Sequence, residues 1–518
     1  MPFRALRDLL TSLYKPGGPS RAPLNRALAV ALPESEAGRC LARCVGSQDD
    51  ALLALDELQR AVHRFKLWRE DASGAREERD LHSLFREHAE SGAAEDLLGA
   101  HAALCAALAD LCVALSELAT HLDELPARGV QRLRRALDVL RADLDELAAG
   151  TSAWIPRGEA GEPRFRAETF YDLETTPRGF DVMAARVLLP HEHLGRHYFP
   201  DLAGAVLISA TTWLKGGFES SARYLGCHRA AHPAEEEERE AAPLSTFRAP
   251  DAFDYGRVLV AAPRDAPAPN AGKRAALEYA ARFVCYLGER TRGRILALFT
   301  NADDCAQAAR LAEPFFAARR IPFWHQRMEG TVKEELSERF RAHVDSVLFG
   351  LDTFWYGADF PGETLEYLVI ARLPYGVPDR YHHAQAAVLG PEEQRRAIYM
   401  PRALAKFRQG FGRLMRKETD RGAVFLLDPR VLDPRHRAFL RELPLSLGEP
   451  GRADEEGAAV FVRGDADRCL HEALAHMGML ADVRRRGLDQ PFAGWRLEAP
   501  PRHGAPGRRE LPEDELPY

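Results

Sequence analysis

Little in this sequence points to a stapled or metal-bound scaffold. Its eight cysteines, Cys40, Cys44, Cys105, Cys112, Cys227, Cys285, Cys305 and Cys469, contain no CxxC pair, so spacing suggests neither a disulfide framework nor a zinc site. Reduced thiols in cores are expected. A strongly basic balance is also missing. The formal net charge is −7, so any nucleic-acid contact has to come from a local groove of arginines rather than from the field of the whole protein. No apolar run approaches the roughly 20 residues that span a bilayer. The N-terminal MPFRALRDLL lacks the long apolar core of a secretory signal. The expectation is a cytoplasmic protein with no membrane partner. No internal repeat of useful strength is visible.

What is present is enough apolar material for several cores. At 518 residues and 46% hydrophobic content, about three domains are expected. Leucines at 104, 108, 111, 115, 118, 122 and 125 alternate by four and three and make one apolar seam along a helix. Pro126 to Gly129 breaks it, and a second seam follows at Leu133, Leu137, Leu140, Leu144 and Leu147, which predicts an antiparallel helical hairpin. Leu55, Leu58, Val62 and Phe65 predict a further helix over 51–68. These leucines are packing residues, and residues 1–160 read as a helical module with no visible chemistry.

From about residue 150 the texture changes. AGAVLISA, ILALFT, SVLFGL, YLVIARLP and GAVFLLD are short apolar runs separated by amphipathic stretches. Strands buried on both faces and alternating with helices indicate a parallel α/β sheet. Sites in such sheets lie at the carboxyl ends of the strands, and here those ends carry Ser209-Ala210-Thr211-Thr212, Thr300-Asn301, Asp352-Thr353 and Asp428. The acidic run Glu235 to Glu238 reads as a solvated linker. Beyond 445 come one more helical stretch, about 465–486, and a Pro/Arg-rich tail from Pro500 to Tyr518 that is expected to be disordered.

The most specific stretch is QGFGRLMRKETDRG, residues 409–422. Gln409, Arg413 and Arg416 are spaced by four and three, so a helix would present an amide and two guanidiniums on one face. Such a fork suits the charge that develops on a phosphoryl group in transfer. By itself it also reads as an ordinary Arg-bearing surface helix. QxxGRxxR followed by DRGxVxxLDPR resembles motif VI of the DinG/XPD helicase family, and other motifs of that family follow its order. SATTWLKGGFESSARYLG (209–226) resembles motif III with its following segment, and FDYGRVLVAAPRDAPAPN (253–270) the connection to motif IV. ILALFTNADDC (295–305) resembles motif IV, and VLFGLDTFWYGADFPGETLEYLVIARLPYGVP (347–378) motif V and the next strand.

The resemblance implies an α/β, RecA-like parallel-sheet helicase C-terminal domain over 223–445. It also implies an all-helical arch-like module over 1–160, a returning segment of an incomplete first motor domain over 161–222, and an extension over 446–518. Arg413 and Arg416 would be arginine fingers at a γ-phosphate, with Gln409 and Gly412 beside them. Gly357 and Asp359 would face the nucleotide cleft. Thr353 and Thr300 would lie near the nucleic-acid strand, while Ser209 and Thr211 would couple nucleotide state to domain movement. One departure is Tyr356, where the family usually has Glu after the motif V Trp. Phe354 and Trp355 could stack on bases, but core positions beside a strand end explain them as well.

The ATPase of this family needs a P-loop and an acidic motif II. Neither is found. Asn270-Ala271-Gly272-Lys273-Arg274 lacks the earlier glycine and the Ser/Thr for magnesium, and Asp56-Glu57-Leu58-Gln59 lies within an amphipathic helix. ATP and magnesium are therefore expected only in an assembled motor, with no iron–sulfur cluster held by this chain. The expected partners are single-stranded DNA and a polypeptide carrying the first motor half. The competing expectation is a non-catalytic nucleic-acid-binding or regulatory scaffold derived from such a helicase.

Overall fold

The computed structural model describes residues 3–16, 22–28, 34–73, 81, 91–122, 130–158, 162–175, 181–214, 216–234, 241, 243–249, 253–269, 272–326, 332–356, 359–443 and 459–497. Leu125, the Pro126–Gly129 turn, the acidic run at 235–238, Gly357 and the tail from Pro500 lie outside them. The chain divides into two compact units, Met1–Pro190 with Pro378–Gly390, and His191–Val377 with Pro391–Tyr518.

In the first unit the long helices are Glu36–Ser73, Gly92–Leu122 and Val130–Trp154. The leucine seam predicts their contact: Leu104, Leu108, Leu111, Leu115, Leu118 and Leu122 are all buried, and Leu55, Leu58, Val62, Phe65, Leu133, Leu137 and Leu144 share their core. The main partner of Gly92–Leu122 is Glu36–Ser73, so the predicted pairing with the following helix is the lesser of two. By length and composition Gly92–Leu122 could also cross a membrane, with a mean hydropathy of 1.9 over its most apolar window, which corrects the sequence reading that no run comes close. Its buried residues face this helical core.

Strands β1 (Thr169–Thr175) and β2 (Asp181–Val187) pair antiparallel beside the helices. The Trp154 indole N–H donates to the Asp172 carbonyl at 2.9 Å. The helix Arg380–Leu389, capped by Asp379, covers the pair. Its Gln385 donates to the Leu188 carbonyl at 2.7 Å, and Arg380 pairs with buried Asp172 at 2.5 Å.

The second unit is built on seven strands: β3 (Val258–Pro263), β4 (Ile295–Leu298), β5 (Phe323–His325), β6 (Val347–Gly350), β7 (Tyr367–Ile370), β8 (Gly422–Leu426) and β9 (Val460–Gly464). They are all parallel, in the order β5-β6-β4-β7-β8-β3-β9. The two-residue strand period divides each strand between two cores. Ile295 and Ala297 face the core that includes Phe283 and Phe316, while Leu296 and Leu298 face the one that includes Phe407 and Phe340. Four of the predicted runs become β4, β6, β7 and β8. β3, β5 and β9 were not predicted.

The fifth run departs from expectation. AGAVLISA forms no strand: 203–208 makes no backbone–backbone hydrogen bond among the described residues and leaves Val206 83% and Ile208 91% exposed. Its apolar composition fits a strand, but among the described residues no strand flanks it to accept its N–H and C=O groups.

Candidate functional site

One open cavity of about 580 Å³ gathers most of the residues singled out in the sequence: Ser209, Thr211, Gln409, Gly412, Arg413 and Arg416 all line it. Helix Met400–Phe411 brings Arg408 and Gln409 to the wall. It can lie close to the sheet because residue 410 is glycine, where a Cβ would meet Trp355 Cε3 at 2.5 Å. Trp355 is itself fixed by its indole N–H to the Phe299 carbonyl, 3.0 Å. Phe354 and Trp355 are both fully buried, so they are core aromatics and not stacking platforms.

The expected single helical face ends early. The helix stops at Phe411, with Gly412 as its C-cap, and the chain turns away because Leu414 and Met415 are drawn into the core. Buried Asp420 holds the turn by accepting from the Arg416 and Lys417 N–H groups, both at 2.8 Å, and from Gly362 N–H at 3.1 Å. Arg413 and Arg416 therefore reach the cavity from a loop. Loop placement preserves their convergence. Arg413 Nε donates to the Gln409 carbonyl at 3.2 Å, and Arg416 pairs with Asp359 at 2.9 Å.

The opposite wall is the hydroxyl segment. Gln409 Nε2 donates to Thr211 Oγ1 at 3.2 Å, and Thr211 Oγ1 lies 3.0 Å from Ser209 Oγ. Arg408 donates to the Trp213 carbonyl and lies 4.0 Å from buried Glu442. Arg248 stacks over Trp213 at 4.9 Å. Burial, helped by neighbouring Arg416 and opposed by Asp359, pushes Arg413 down to about 10. A desolvated cation among hydroxyls and a second guanidinium is a setting for an anion. Gln409 adds a buried Oε1 with no hydrogen-bond partner among the described residues.

Residues 284–445 match the family model described as the helicase C-terminal domain. The sequence is 29% identical over 266 residues to the 3'-5' exonuclease DinG of Bacillus subtilis, covering 50% of this chain and 27% of that protein. Residues 284–445 thus carry a helicase C-terminal domain, and the chain is similar to DinG proteins. It is also 30% identical over 203 residues to the ATP-dependent DNA helicase YoaA of Escherichia coli, 38% of this chain and 30% of that one. With the ATP-dependent helicase DinG of Mycobacterium tuberculosis it shares 32% identity over 185 residues, 35% and 27% of the two chains. The chain thus spans about a third or less of these relatives' length. A solved structure titled XPD helicase is similar at a TM-score of 0.38 and 16% identity, over 67% of this chain and 56% of that one.

Not all the motif residues of this helicase region meet in the cavity. Asp359 reaches it only through Arg416, Gly357 is outside the described residues, and Tyr356 is exposed. Thr300 and Thr353 stand at the ends of β4 and β6 and do not line it. Gln326 donates to the Thr353 hydroxyl and accepts from Leu351 N–H at 2.7 Å. Asp428 is a structural latch: fully buried, it pairs with Arg430 at 2.6 Å and accepts from Leu373 N–H. Lys273, from the P-loop lookalike, pairs with Asp304 at 2.9 Å.

Sequence reasoning missed Arg408, Trp213, Arg248 and Asp420. Asp420 stands in the DRG that ends the motif, and Trp213 directly follows SATT, so both had a local signal. Arg248 had none.

Proposed function

We propose that this chain is the second half of an ATP-dependent DNA motor, reading nucleotide phosphate with Arg413 and Arg416. Motifs I and II would be supplied from outside these 518 residues. The observation that carries the reading is the convergence of desolvated Arg413, Arg416 and the Ser209–Thr211 hydroxyls on one cavity. ATP fits this donor set: when bound, it supplies the phosphoryl group whose growing negative charge two guanidiniums stabilise. Arg413 and Arg416 hold charge, Gln409 bridges the arginine loop to Thr211, and Asp359 orients Arg416. The magnesium ligands, like motifs I and II, would come from the other half. Single-stranded DNA is the proposed track and the cytoplasm the proposed location.

The test is single-strand-DNA-stimulated ATPase with this chain, with the polypeptide encoded upstream, and with both. Activity only in the combination, reduced about a thousandfold or more by Arg413→Ala, is the expected result. DNA binding without activity in any combination would overturn it and favour a non-catalytic scaffold, the reading that exposed Tyr356 at the usual Glu position supports.

A further inference from the structure

Pro378–Gly390 parts from its sequence neighbours: the chain up to Val377 and from Pro391 belongs to the second unit, yet this stretch is folded into the first. Its docking there is specific. Arg380 pairs at 2.5 Å with Asp172, whose side chain is 2% exposed, and such a pair resists separation because that would leave a buried carboxylate uncompensated. Tyr381 Oη–H donates to the Val187 carbonyl at 2.5 Å, and its ring meets Phe170 edge-on at 5.5 Å. Buried Gln385, one turn further along the same helical face, donates to the Leu188 carbonyl. Asp172 in turn accepts the Trp154 indole N–H on its backbone carbonyl, and Trp154 ends the long helix Val130–Trp154.

The two ends of this excursion are pinned together within the second unit. Tyr399 Oη–H donates to the Gly376 carbonyl at 2.6 Å, its ring stacks on Tyr375 at 6.0 Å, and Tyr375 Oη lies 2.6 Å from His436 Nδ1. From Pro391 the chain is helical without a break to Phe411, with a π turn at Arg395–Tyr399, a rod of about 30 Å. Its far end sets Arg408 and Gln409 on the cavity wall and leads into the loop of Arg413 and Arg416. The joint between this rod and the docked helix is Gly390, at φ +84°, a backbone that favours glycine. Among the described residues nothing lies within 4 Å of where a Cβ would stand there. An uncrowded glycine between two helices can turn without stretching. We infer that Pro378–Gly390 is a strap: when the arginine cavity takes or releases phosphate, displacement of the rod passes through Gly390 to Asp172 and the helical unit. The inference rests on the proposed function and adds the route by which nucleotide state reaches the helices.

Hydrogen exchange of the full chain tests where the strap is folded. Leu115→Ala, in the core of the helical unit, should speed exchange of 380–389 together with β1 and β2 at least about tenfold and leave β7 unchanged. Exchange of 380–389 that follows β7 instead would overturn the assignment. Transmission is tested by inserting Gly-Ser-Gly-Ser between Gly390 and Pro391, which slackens the joint while both flanking helices stay folded. In the motor assembled with the upstream-encoded polypeptide, strand separation per ATP hydrolysed should fall at least about fivefold, with ATPase within about twofold of the unaltered assembly. Equal strand separation per ATP with and without the insertion would overturn the strap and leave the motor reading standing. An unaltered assembly with no ATPase would overturn the motor reading and transmission with it, while exchange still decides where 380–389 is folded.

Discussion

Strand β4 and the run Val206–Ile208 are similar lengths of aliphatic chain, each followed within a few residues by hydroxyl side chains, Thr300 in one case and Ser209 and Thr211 in the other. β4 lies between β6 and β7, with every residue buried. The run at 206–208 stands in solvent. The difference lies in the neighbours: an extended segment becomes a strand when flanking backbones take its N–H and C=O groups and both faces are covered. An apolar run is thus half of a statement, and the other half is supplied by residues far away in sequence.

Paired substitutions break this comparison most sharply. Leu296→Ala should lower unfolding free energy by about 2–5 kcal/mol through lost burial and a cavity, whereas Ile208→Ala in the same chain should stay within about 0.5 kcal/mol. Denaturant unfolding measures both, and a comparable loss at Ile208 would mean the run is already packed.

Gly410→Ala probes how tightly the cavity-bearing helix lies on β4, since the added Cβ meets Trp355 at 2.5 Å and Leu298 at 3.4 Å. About 1–3 kcal/mol of destabilisation is expected, read from the same curves.

On the cavity side, pyrophosphate binding by calorimetry should weaken as pH rises through about 10, where Arg413 loses its proton. The cation is what the anion needs, so affinity falls with deprotonation, and Arg413→Gln should bind weakly at every pH.

The smallest effect is in the helical unit. Burial, with Arg157 nearby, holds His101 below the ordinary 6.5 while its Nε2 meets the Thr151 carbonyl at 2.8 Å. Below about 6.5 the unfolded chain takes up a proton that the folded one resists, so stability should fall as pH drops from 6.5 toward the lower folded value. Thermal melts of His101→Gln should show a shallower decline.

By itself the sequence determined the leucine-seamed helices, four strands of the sheet and the identity of several cavity-lining residues, because these are written in local periodicity and short motifs. Arg413, Arg416, Gln409, Ser209 and Thr211 were legible for that reason. Only the tertiary structure decided that the two arginines stand on a loop, since Asp420 and the burial of Leu414 and Met415 end the helix at Phe411. It also placed Arg408 and Arg248 beside Trp213, contacts between segments about 195 and 35 residues apart in the chain. The fate of Ala203–Ile208 was decided at the same level, because a strand's hydrogen bonds belong to its neighbours and not to its own composition.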